Sequence, residues 1–274
     1  MQMLKLKGVV VTQEHIDNMF DTSWFYHAQI FDDVLMITNK STACFVIKTS
    51  EGLILLDSIF PKKEMFDAIV NAIQDIGWDP KDIKKFVISH GHFDHCGCGK
   101  WIIDAYHPDV YMSKIDYDFW TEKPFFPDKP DTWKDFDVEN FVDDGDEITL
   151  GDKTIKVYFT PGHTPGGLSF IFPVTDLGVS HMAAVWGGSN PPNNLADVLT
   201  YFKSLDYFLK QTDQAHVDVA LSTHPFLDNG FEKMVFANNR LVHMPNTFIL
   251  GEDGYRQYAQ LFRNMCYARM EGML

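Results

Sequence analysis

The residues best suited to chemistry lie in segment 90–95, which reads HGHFDH and begins one position after an apolar run at 86–88. This segment holds three imidazoles and one carboxylate, which are the ligand types that zinc and other borderline metals bind. Two further histidines have turn-like neighbours, His163 in the segment TPGHTPG and His224 in the segment STHP. These six side chains could together bind two metal ions.

Spacing predicts how the six ligands divide between two ions: His90, His92 and His163 for one, and Asp94, His95 and His224 for the other. Residues at i and i+2 of an extended segment point to the same side, so His90 and His92 can share an ion. Each set then has three protein ligands and an open position, which is typical of catalytic rather than structural zinc. The alternative is a surface turn that is rich in histidine by chance.

The elements that must position these ligands follow from the apolar patterns of the sequence. Apolar residues at helical spacing predict helices at 63–76, 100–106, 194–211 and 255–270. Short apolar or β-branched runs predict strands at 43–47, 52–56, 85–89, 110–112, 148–150, 154–159, 168–172, 182–186 and 217–221. Alternating elements of this kind predict mixed sheets covered by helices, with the ligands in loops at strand ends.

These motifs together resemble the metallo-β-lactamase superfamily. The resemblance extends from about 31 to 234 and includes Asp57 after an apolar strand, and Gly145, Asp146 and Leu150 before a later one. It implies an α/β (α+β) fold, the αββα sandwich of two mixed β-sheets flanked by helices. We expect a single domain over 1–274, with an aromatic N-terminal extension at about 1–30 and a closing helix at about 255–270.

Among the branches of this superfamily, the chain is most similar to the subclass B3 β-lactamases, which use this ligand set without a cysteine. Many relatives, including glyoxalase II and the lactonases, carry an aspartate that bridges both metals near a strand end. The corresponding strand here, 182–186, continues into the segment GGSN, which has no carboxylate. The resemblance therefore favours the B3-like interpretation over the glyoxalase and lactonase ones.

The resemblance implies a dinuclear zinc hydrolase in which a metal-bridging hydroxide attacks the carbonyl of an amide, a lactam or an ester. Asp94 would be a ligand and would also orient the hydroxide. Iron or manganese could replace zinc. The alternatives are a lactone or thioester hydrolase and, in a different class, a metal-binding protein without turnover.

Other residues are candidates for roles around the metals. Asp57 could orient a ligand histidine or a loop amide, or it could cap the turn that precedes the first predicted helix. Ser189 and Asn190 could contact the substrate, although residues of these types also form turns. Trp24 and Trp120 could line a substrate cleft, as could the aromatic and acidic connection 115–141, or their rings could seal the core.

Composition limits the partners of the chain. The formal net charge is −15, so binding to nucleic acid or to an anionic membrane would oppose the overall field. We therefore expect a small-molecule substrate, with no nucleic acid and no membrane as partner, and the oligomeric state stays open.

The first residues lack the apolar stretch of an export signal, which favours the cytoplasm. The four cysteines have no obvious disulfide partners, and we expect Cys96, beside His95, to pack as a small side chain rather than to bind metal.

Overall fold

Strands and helices arranged in four layers form the part of the chain that the computed structural model describes, residues 13–122, 133 and 135–272. The first sheet contains, in this order, β1 (Tyr26–Phe31), β2 (Val34–Thr38), β3 (Ala43–Thr49), β4 (Gly52–Leu56), β5 (Ile83–Val87), β6 (Asp109–Met112) and β7 (Asn140–Phe141). The second sheet contains β8 (Glu147–Leu150), β9 (Lys153–Phe159), β10 (Leu168–Asp176), β11 (Val179–Val185) and β12 (Val219–Leu221). The helices are α1 (Gln13–Met19), α2 (Lys63–Asp75), α3 (Phe93–Cys96), α4 (Gly99–Tyr106), α5 (Lys114–Glu122), α6 (Leu195–Gln214), α7 (Gly230–Asn239) and α8 (Gly251–Glu271).

Both sheets are mixed, as the sequence predicts. In the first, β1 to β4 pair antiparallel and β4 to β7 pair parallel. The change of direction follows from the connections, because α2 links β4 to β5 and α4 links β5 to β6, and parallel strands need such crossovers. In the second sheet, β8 to β11 are antiparallel and β12 lies parallel to β11 after the crossover through α6.

Three apolar clusters hold the layers together. The first lies between the inner faces of the two sheets, around residues such as Phe45, Ile54 and Phe170. The second packs α2 and α4 on the outer face of the first sheet, and the third packs α6 and α8 on the outer face of the second sheet. This layer order confirms the predicted αββα sandwich of two mixed sheets flanked by helices.

Among the described residues, no helix combines the length and the apolar composition that a membrane span requires.

Several elements differ from the sequence predictions. The N-terminal extension ends earlier than residue 30, because Tyr26 already begins β1, which pairs with β2. α5 occupies the start of the connection 115–141, where no helix was predicted. Three strands, β1, β2 and β7, and three helices, α1, α3 and α7, were not predicted either. Residues 1–12 of the extension and residues 123–132 and 134 of the connection lie outside the described residues.

The metal ligands predicted from sequence lie where the two sheets meet at one edge. β4 and β5 are parallel, so the segments that follow them leave the first sheet at the same edge. Two backbone hydrogen bonds join the sheets there, from Leu168 N to Ser89 O at 2.8 Å and from Ala43 N to Thr223 O at 2.7 Å. These bonds bring the loop after β5 next to β10, and the segment after β12 next to β3.

A second junction between distant segments lies at Asp176, where β10 ends. Arg240 donates to both carboxylate oxygens, from Nη1 at 3.0 Å and from Nη2 at 2.5 Å. The Asn246 amide donates to the same carboxylate at 3.0 Å and to the Ile30 carbonyl of β1 at 2.8 Å. This buried carboxylate therefore connects β10, the end of α7 and the loop before α8.

Replacing Arg240 by glutamine is expected to lower the free energy of unfolding at pH 7 by about 2 kcal/mol, because Asp176 loses a charged hydrogen-bond donor. Burial works to raise the pKa of Asp176, but hydrogen bonds from Arg240 and Asn246 outweigh it and lower the pKa below its usual 3.8. The pair therefore stabilises the fold above pH 3.8, and its contribution decreases as the carboxylate is protonated below that value.

Urea unfolding between pH 3 and pH 8 measures this effect. Arg256→Gln is the control, because the ion pairs of Arg256 are exposed to solvent and should contribute little to stability. A difference between wild type and Arg240→Gln that stays constant down to pH 3 would contradict the assignment to Asp176.

Candidate metal centre

The structure brings the six predicted ligands together from both sheets. His90 and His92 lie in the loop after β5, and Asp94 and His95 lie in α3, a single helical turn that begins at Phe93. The other two come from the second sheet, His163 from the loop between β9 and β10 and His224 from the residues after β12. They form two groups, each with ligand atoms within 4.8 Å of one another: His90, His92 and His163, and Asp94, His95 and His224.

The first group consists of three imidazoles at nearly right angles. The ring centroids of His90, His92 and His163 are 4.6–4.8 Å apart. Nδ1 of His163 lies 2.6 Å from the carbonyl oxygen of Asn190, which can only accept, so we assign the proton to Nδ1. The lone pair of the His163 Nε2 atom is therefore available to a metal ion.

His90 also carries its proton on Nδ1, as the contacts of the Ser89 hydroxyl indicate. The Ser89 hydroxyl donates its one proton to Asp57 Oδ2 at 2.7 Å, so it accepts from His90 Nδ1 at 2.9 Å. Nε2 of His90 is buried and has no hydrogen-bond partner among the described residues. A buried nitrogen lone pair without a hydrogen-bond partner costs free energy in the chain alone. The same lone pair is what a metal ligand provides.

The second group has one carboxylate and two imidazoles. The Nε2 atoms of His95 and His224 lie 3.4 Å and 3.9 Å from Asp94 Oδ2. Nδ1 of His95 contacts Asp57 Oδ2 at 2.9 Å, and Nδ1 of His224 contacts the Ser41 carbonyl oxygen at 3.1 Å. Since both Nδ1 atoms face acceptors, both Nε2 atoms carry lone pairs in the neutral rings.

The two Nε2 atoms of the second group are 3.2 Å apart. With both rings neutral, two unprotonated nitrogens at this distance would repel each other, and a cation shared by both, either a proton or a metal ion, removes the repulsion. Imidazole nitrogen with a carboxylate oxygen is a donor set that suits zinc. The residues of both groups therefore fit a pair of metal ions.

The surroundings favour the neutral form of four of the imidazoles. Loss of contact with water lowers the pKa of His163 and of His224 to about 4, and it lowers the pKa of His90 and His92 well below 6.5. At neutral pH these rings do not carry a proton that a metal ion must displace.

The ionisable residues of the second group shift each other's pKa values. Burial works to raise the pKa of Asp94, but the neighbouring His95 and His224 outweigh it and lower the pKa to about 2. For His95, burial works to lower the pKa, but the charges of Asp94 and Asp57 outweigh it and raise the pKa above 6.5. Asp94 is therefore an anion at neutral pH, which is the form that binds a metal.

Asp57 lies behind both groups rather than at the surface. It follows β4 with a positive φ of 59° and is fully buried. Its Oδ1 accepts from Ser89 N at 2.7 Å, and its Oδ2 accepts from the Ser89 hydroxyl and contacts His95 Nδ1. Of the two roles considered for this residue, the contacts favour orientation of the histidines.

A cleft of about 660 Å³ opens beside the first group, a volume that suits a small molecule. Two ligands of that group line it together with residues of four segments: His92, His163, Phe119 of α5, the loops 161–165 and 190–194, and Asp197 and Thr200 of α6. A molecule in this cleft would therefore be adjacent to the metal ligands.

The residues predicted to contact substrate have different positions. Asn190 lines the cleft, whereas Ser189 is buried and is not among the lining residues. Trp24, which is 38% exposed, stacks on Tyr26 and contacts the edge of Phe231, and it does not line the cleft.

Trp120 was also predicted to contact substrate, but the structure places it in the core. Its side chain is only 1% exposed and packs against Trp133 and Phe136. The residue of α5 that lines the cleft is its neighbour Phe119. Successive residues of a helix point about 100° apart, so the aromatic pair places one ring at the cleft and the other inside.

Cys96 packs inside the fold, as predicted from the sequence. Its Sγ donates to the His92 carbonyl at 3.2 Å, and burial raises the pKa of its thiol. It belongs to neither of the ligand groups found among the described residues.

Two polar residues near the ligands were not predicted from the sequence. Thr42 Oγ1 donates to Asp94 Oδ2 at 3.1 Å. Asp116, in the first turn of α5, is fully buried, and its carboxylate contacts the loops of the first group. An acidic residue shortly after a predicted strand, β6, at the same sheet edge as the ligands was the available signal for Asp116.

Two positions directly after β11, Gly187 and Gly188, have no room for a side chain. A Cβ atom on Gly187 would lie 1.7 Å from the Leu168 carbonyl oxygen, and one on Gly188 would lie 2.5 Å from the His163 Cβ atom. Within the two ligand groups of the described residues, Asp94 supplies the single carboxylate.

Comparison with known proteins gives consistent results. The sequence model of the metallo-beta-lactamase superfamily matches residues 37–180. The N-acyl homoserine lactonase AttM of Agrobacterium fabrum is 31% identical over 124 residues, which cover 43% of this chain and 46% of that protein. The probable polyketide biosynthesis zinc-dependent hydrolase BaeB of Bacillus velezensis is 26% identical over 135 residues, covering 48% of this chain and 51% of that protein. The chain thus spans about half the length of these relatives.

A solved structure matches over a greater length. BJP-1, a subclass B3 metallo-beta-lactamase of Bradyrhizobium japonicum, superposes with a TM-score of 0.76 over 94% of this chain and 99% of that chain. Sequence identity is 23%, so this similarity concerns the fold.

Proposed function

We propose, since this chain belongs to the metallo-β-lactamase superfamily, that it is a dinuclear zinc hydrolase that cleaves a lactam, another amide or an ester in a small molecule. The observation that carries the proposal is the pair of three-ligand groups beside a cleft. Each group leaves coordination positions that no described side chain fills, which is the arrangement of catalytic rather than structural zinc.

When bound, zinc lowers the pKa of a coordinated water to about 7 and polarises a carbonyl oxygen. The residues of the chain prepare the site for this chemistry. Asp57 and the Ser41 and Asn190 carbonyl groups hold the Nδ1 protons of His95, His224 and His163, so that each Nε2 points towards a metal position. Asp94 adds the one negative charge among the six ligands.

Asn190 is the residue that we propose to orient the substrate. Its backbone carbonyl holds His163, and its side-chain Oδ1 accepts from Arg269 Nη2 at 3.3 Å. With the oxygen engaged, the amide NH₂ group remains to donate to an acyl oxygen of a molecule in the cleft.

A lactone hydrolase is the second candidate, and the lactonase relatives favour it. Against it stands the segment after β11, which has no carboxylate at positions 187–190, whereas the resemblance associates a bridging aspartate with lactonases. This observation ranks a lactam or other amide ahead of a lactone.

Metal removal tests the proposal. The purified chain is expected to contain two zinc ions, to hydrolyse at least one member of a panel, and to lose turnover on dialysis against a chelator and regain it with Zn²⁺. The panel contains a cephalosporin, a carbapenem, an N-acyl homoserine lactone and a glutathione thioester. Full turnover after chelation would refute the metal mechanism, and zinc binding with no hydrolysis in the panel would favour a metal-binding protein.

A further inference from the structure

A buried carboxylate joins the two loops that carry the first group of ligands. Asp116 Oδ2 accepts from the backbone N–H of Gly91 at 2.8 Å, and its Oδ1 accepts from the backbone N–H of Gly166 at 2.5 Å. Gly91 lies between His90 and His92 in the loop from the first sheet, whereas Gly166 lies three residues after His163 in the loop from the second sheet. One side chain therefore spans the junction between the sheets.

Ser113 strengthens this junction. Its hydroxyl donates to the Gly166 carbonyl oxygen at 2.6 Å and accepts from the backbone N–H of Asp116 at 3.1 Å. The start of α5 thus holds Gly166 at both its N–H and its carbonyl group. The backbone bond from Leu168 N to Ser89 O is a further link between the same loops.

The contact at Gly166 requires a residue without a side chain, and the contact at Gly91 leaves little room for one. A Cβ atom on Gly166 would lie 2.4 Å from Asp116 N and from Ser113 Oγ. A Cβ atom on Gly91 would lie 3.2 Å from the Asp116 carbonyl oxygen. The glycines of the two ligand loops therefore allow α5 to approach closely enough for direct hydrogen bonds.

We propose that Asp116 is a positioning residue that sets the distance between His163 and the pair His90 and His92, and thereby the zinc affinity of the first group. Asp116 is not a ligand and does not line the cleft. The inference rests on the proposed function only in taking both groups as zinc sites. Hydrogen bonds that a carboxylate accepts from two backbone N–H groups are strong and directional, which suits this role.

Asp116→Asn is the sharpest variant, because asparagine keeps the shape but offers one acceptor oxygen in place of two. Its NH₂ group would face the N–H of either Gly91 or Gly166, and one of the two loops would move away. We expect the zinc affinity of the first group to decrease about 10- to 100-fold, the range for residues that orient metal ligands. The second group should bind zinc as in wild type.

Variants that keep only one of the two ligand groups allow the zinc affinity of each group to be measured separately. In the Asp94→Asn background, where the first group remains, Asp116→Asn should weaken zinc binding in a chelator competition titration. In the His163→Ala background, where the second group remains, it should leave the affinity unchanged. Asp118→Asn is the matched control, because Asp118 lies on the same helix but its side chain is 40% exposed and pairs with Lys114.

The same titrations distinguish a positioning role from a structural one. Unchanged zinc affinity in the Asp94→Asn background, or equal losses in both backgrounds, would overturn the proposal even if urea unfolding shows lower stability. Should Asp116→Asn not fold, Ser113→Ala removes the bond to the Gly166 carbonyl and should weaken the first group in the same direction. Because zinc binding is read without turnover, a chain that hydrolyses nothing would refute the proposed function and leave this test valid.

Discussion

Replacement of Asp94 by asparagine is expected to remove one of the two zinc ions and to lower turnover by about 10³-fold. Asp94 is the one carboxylate among the six ligands, and its pKa of about 2 keeps it anionic throughout the physiological range. Without this charge, His95 and His224 form an incomplete set. A metal ion supplies several kcal/mol of transition-state stabilisation, and about 1.4 kcal/mol corresponds to a factor of ten in rate.

The fold should tolerate this change. Asparagine has nearly the same volume as aspartate, and its amide oxygen can still accept from Thr42 Oγ1, which contacts Asp94 Oδ2 at 3.1 Å. Elemental analysis should give one zinc per chain, with far-ultraviolet circular dichroism as in wild type. His243→Gln is the control, since His243 is exposed and lies outside both ligand groups. Two tightly bound zinc ions in Asp94→Asn would refute the assignment of Asp94 as a ligand.

The ligand predictions drew on two kinds of sequence signal. His90, His92, Asp94 and His95 were identified by local spacing, because alternation in an extended segment fixes the direction of side chains relative to one another. The distant His163 and His224 were identified by their position in turns or at strand ends and by the family resemblance, which the family match confirms. The structure places all six together, and their binding of metal stays a prediction until it is measured.

The secondary structure was predicted best where apolar runs are bounded by turns. Strand β4 has the bounds predicted for it, and helix α2 ends one residue before its predicted end. β2 was missed although its apolar run VLMIT is a strand signal. β1 carries a weaker signal, because its sequence YHAQIF mixes polar and apolar residues.

The surroundings of the metal groups could not be predicted in the same way. Whether Phe119 or Trp120 faces the cleft depends on how α5 is rotated against the first sheet, which no local pattern specifies. The same rotation brings Asp116 to Gly91 and Gly166, which are 25 and 50 residues distant in sequence. Contacts of this kind are set by tertiary packing, so they become visible only in the structure.

Asp57→Asn is expected to weaken zinc binding at the second group about 10- to 100-fold while the chain remains folded. Asp57 Oδ2 faces Nδ1 of His95 at 2.9 Å and thereby holds the proton on that nitrogen. An asparagine NH₂ group at the Oδ2 position would donate to Nδ1 instead, and the His95 proton would move to Nε2. A protonated Nε2 cannot bind a metal ion.

Asp57→Asn should also weaken zinc binding at the first group, but by a smaller factor. Asp57 acts on His90 through the Ser89 hydroxyl, which donates to Asp57 Oδ2 and accepts from His90 Nδ1. With asparagine, the hydroxyl can rotate and still serve His90 as a partner, so we expect a smaller loss there. Nitrogen-15 chemical shifts of the imidazole rings report the tautomers directly, and a competition titration gives the zinc affinities.

A comparison of alanine with asparagine at position 57 separates the orientation of the ligand histidines from the stability of the fold. Asp57→Ala leaves the Ser89 N–H and the His95 Nδ1–H buried without an acceptor. It also places alanine at φ 59°, a conformation that asparagine and aspartate tolerate better. We expect the free energy of unfolding to decrease by about 3–5 kcal/mol, against about 1–2 kcal/mol for Asp57→Asn.

The comparison of the two variants decides between the roles considered for Asp57. If Asp57 only supported the turn after β4, asparagine would preserve both the turn and the zinc affinity, and alanine would lose stability without a specific effect on metal. Asp109→Asn, at an exposed position in β6, controls for the change in net charge. Wild-type zinc affinity in Asp57→Asn, with the His95 proton still on Nδ1, would show that the carboxylate does not set the tautomer.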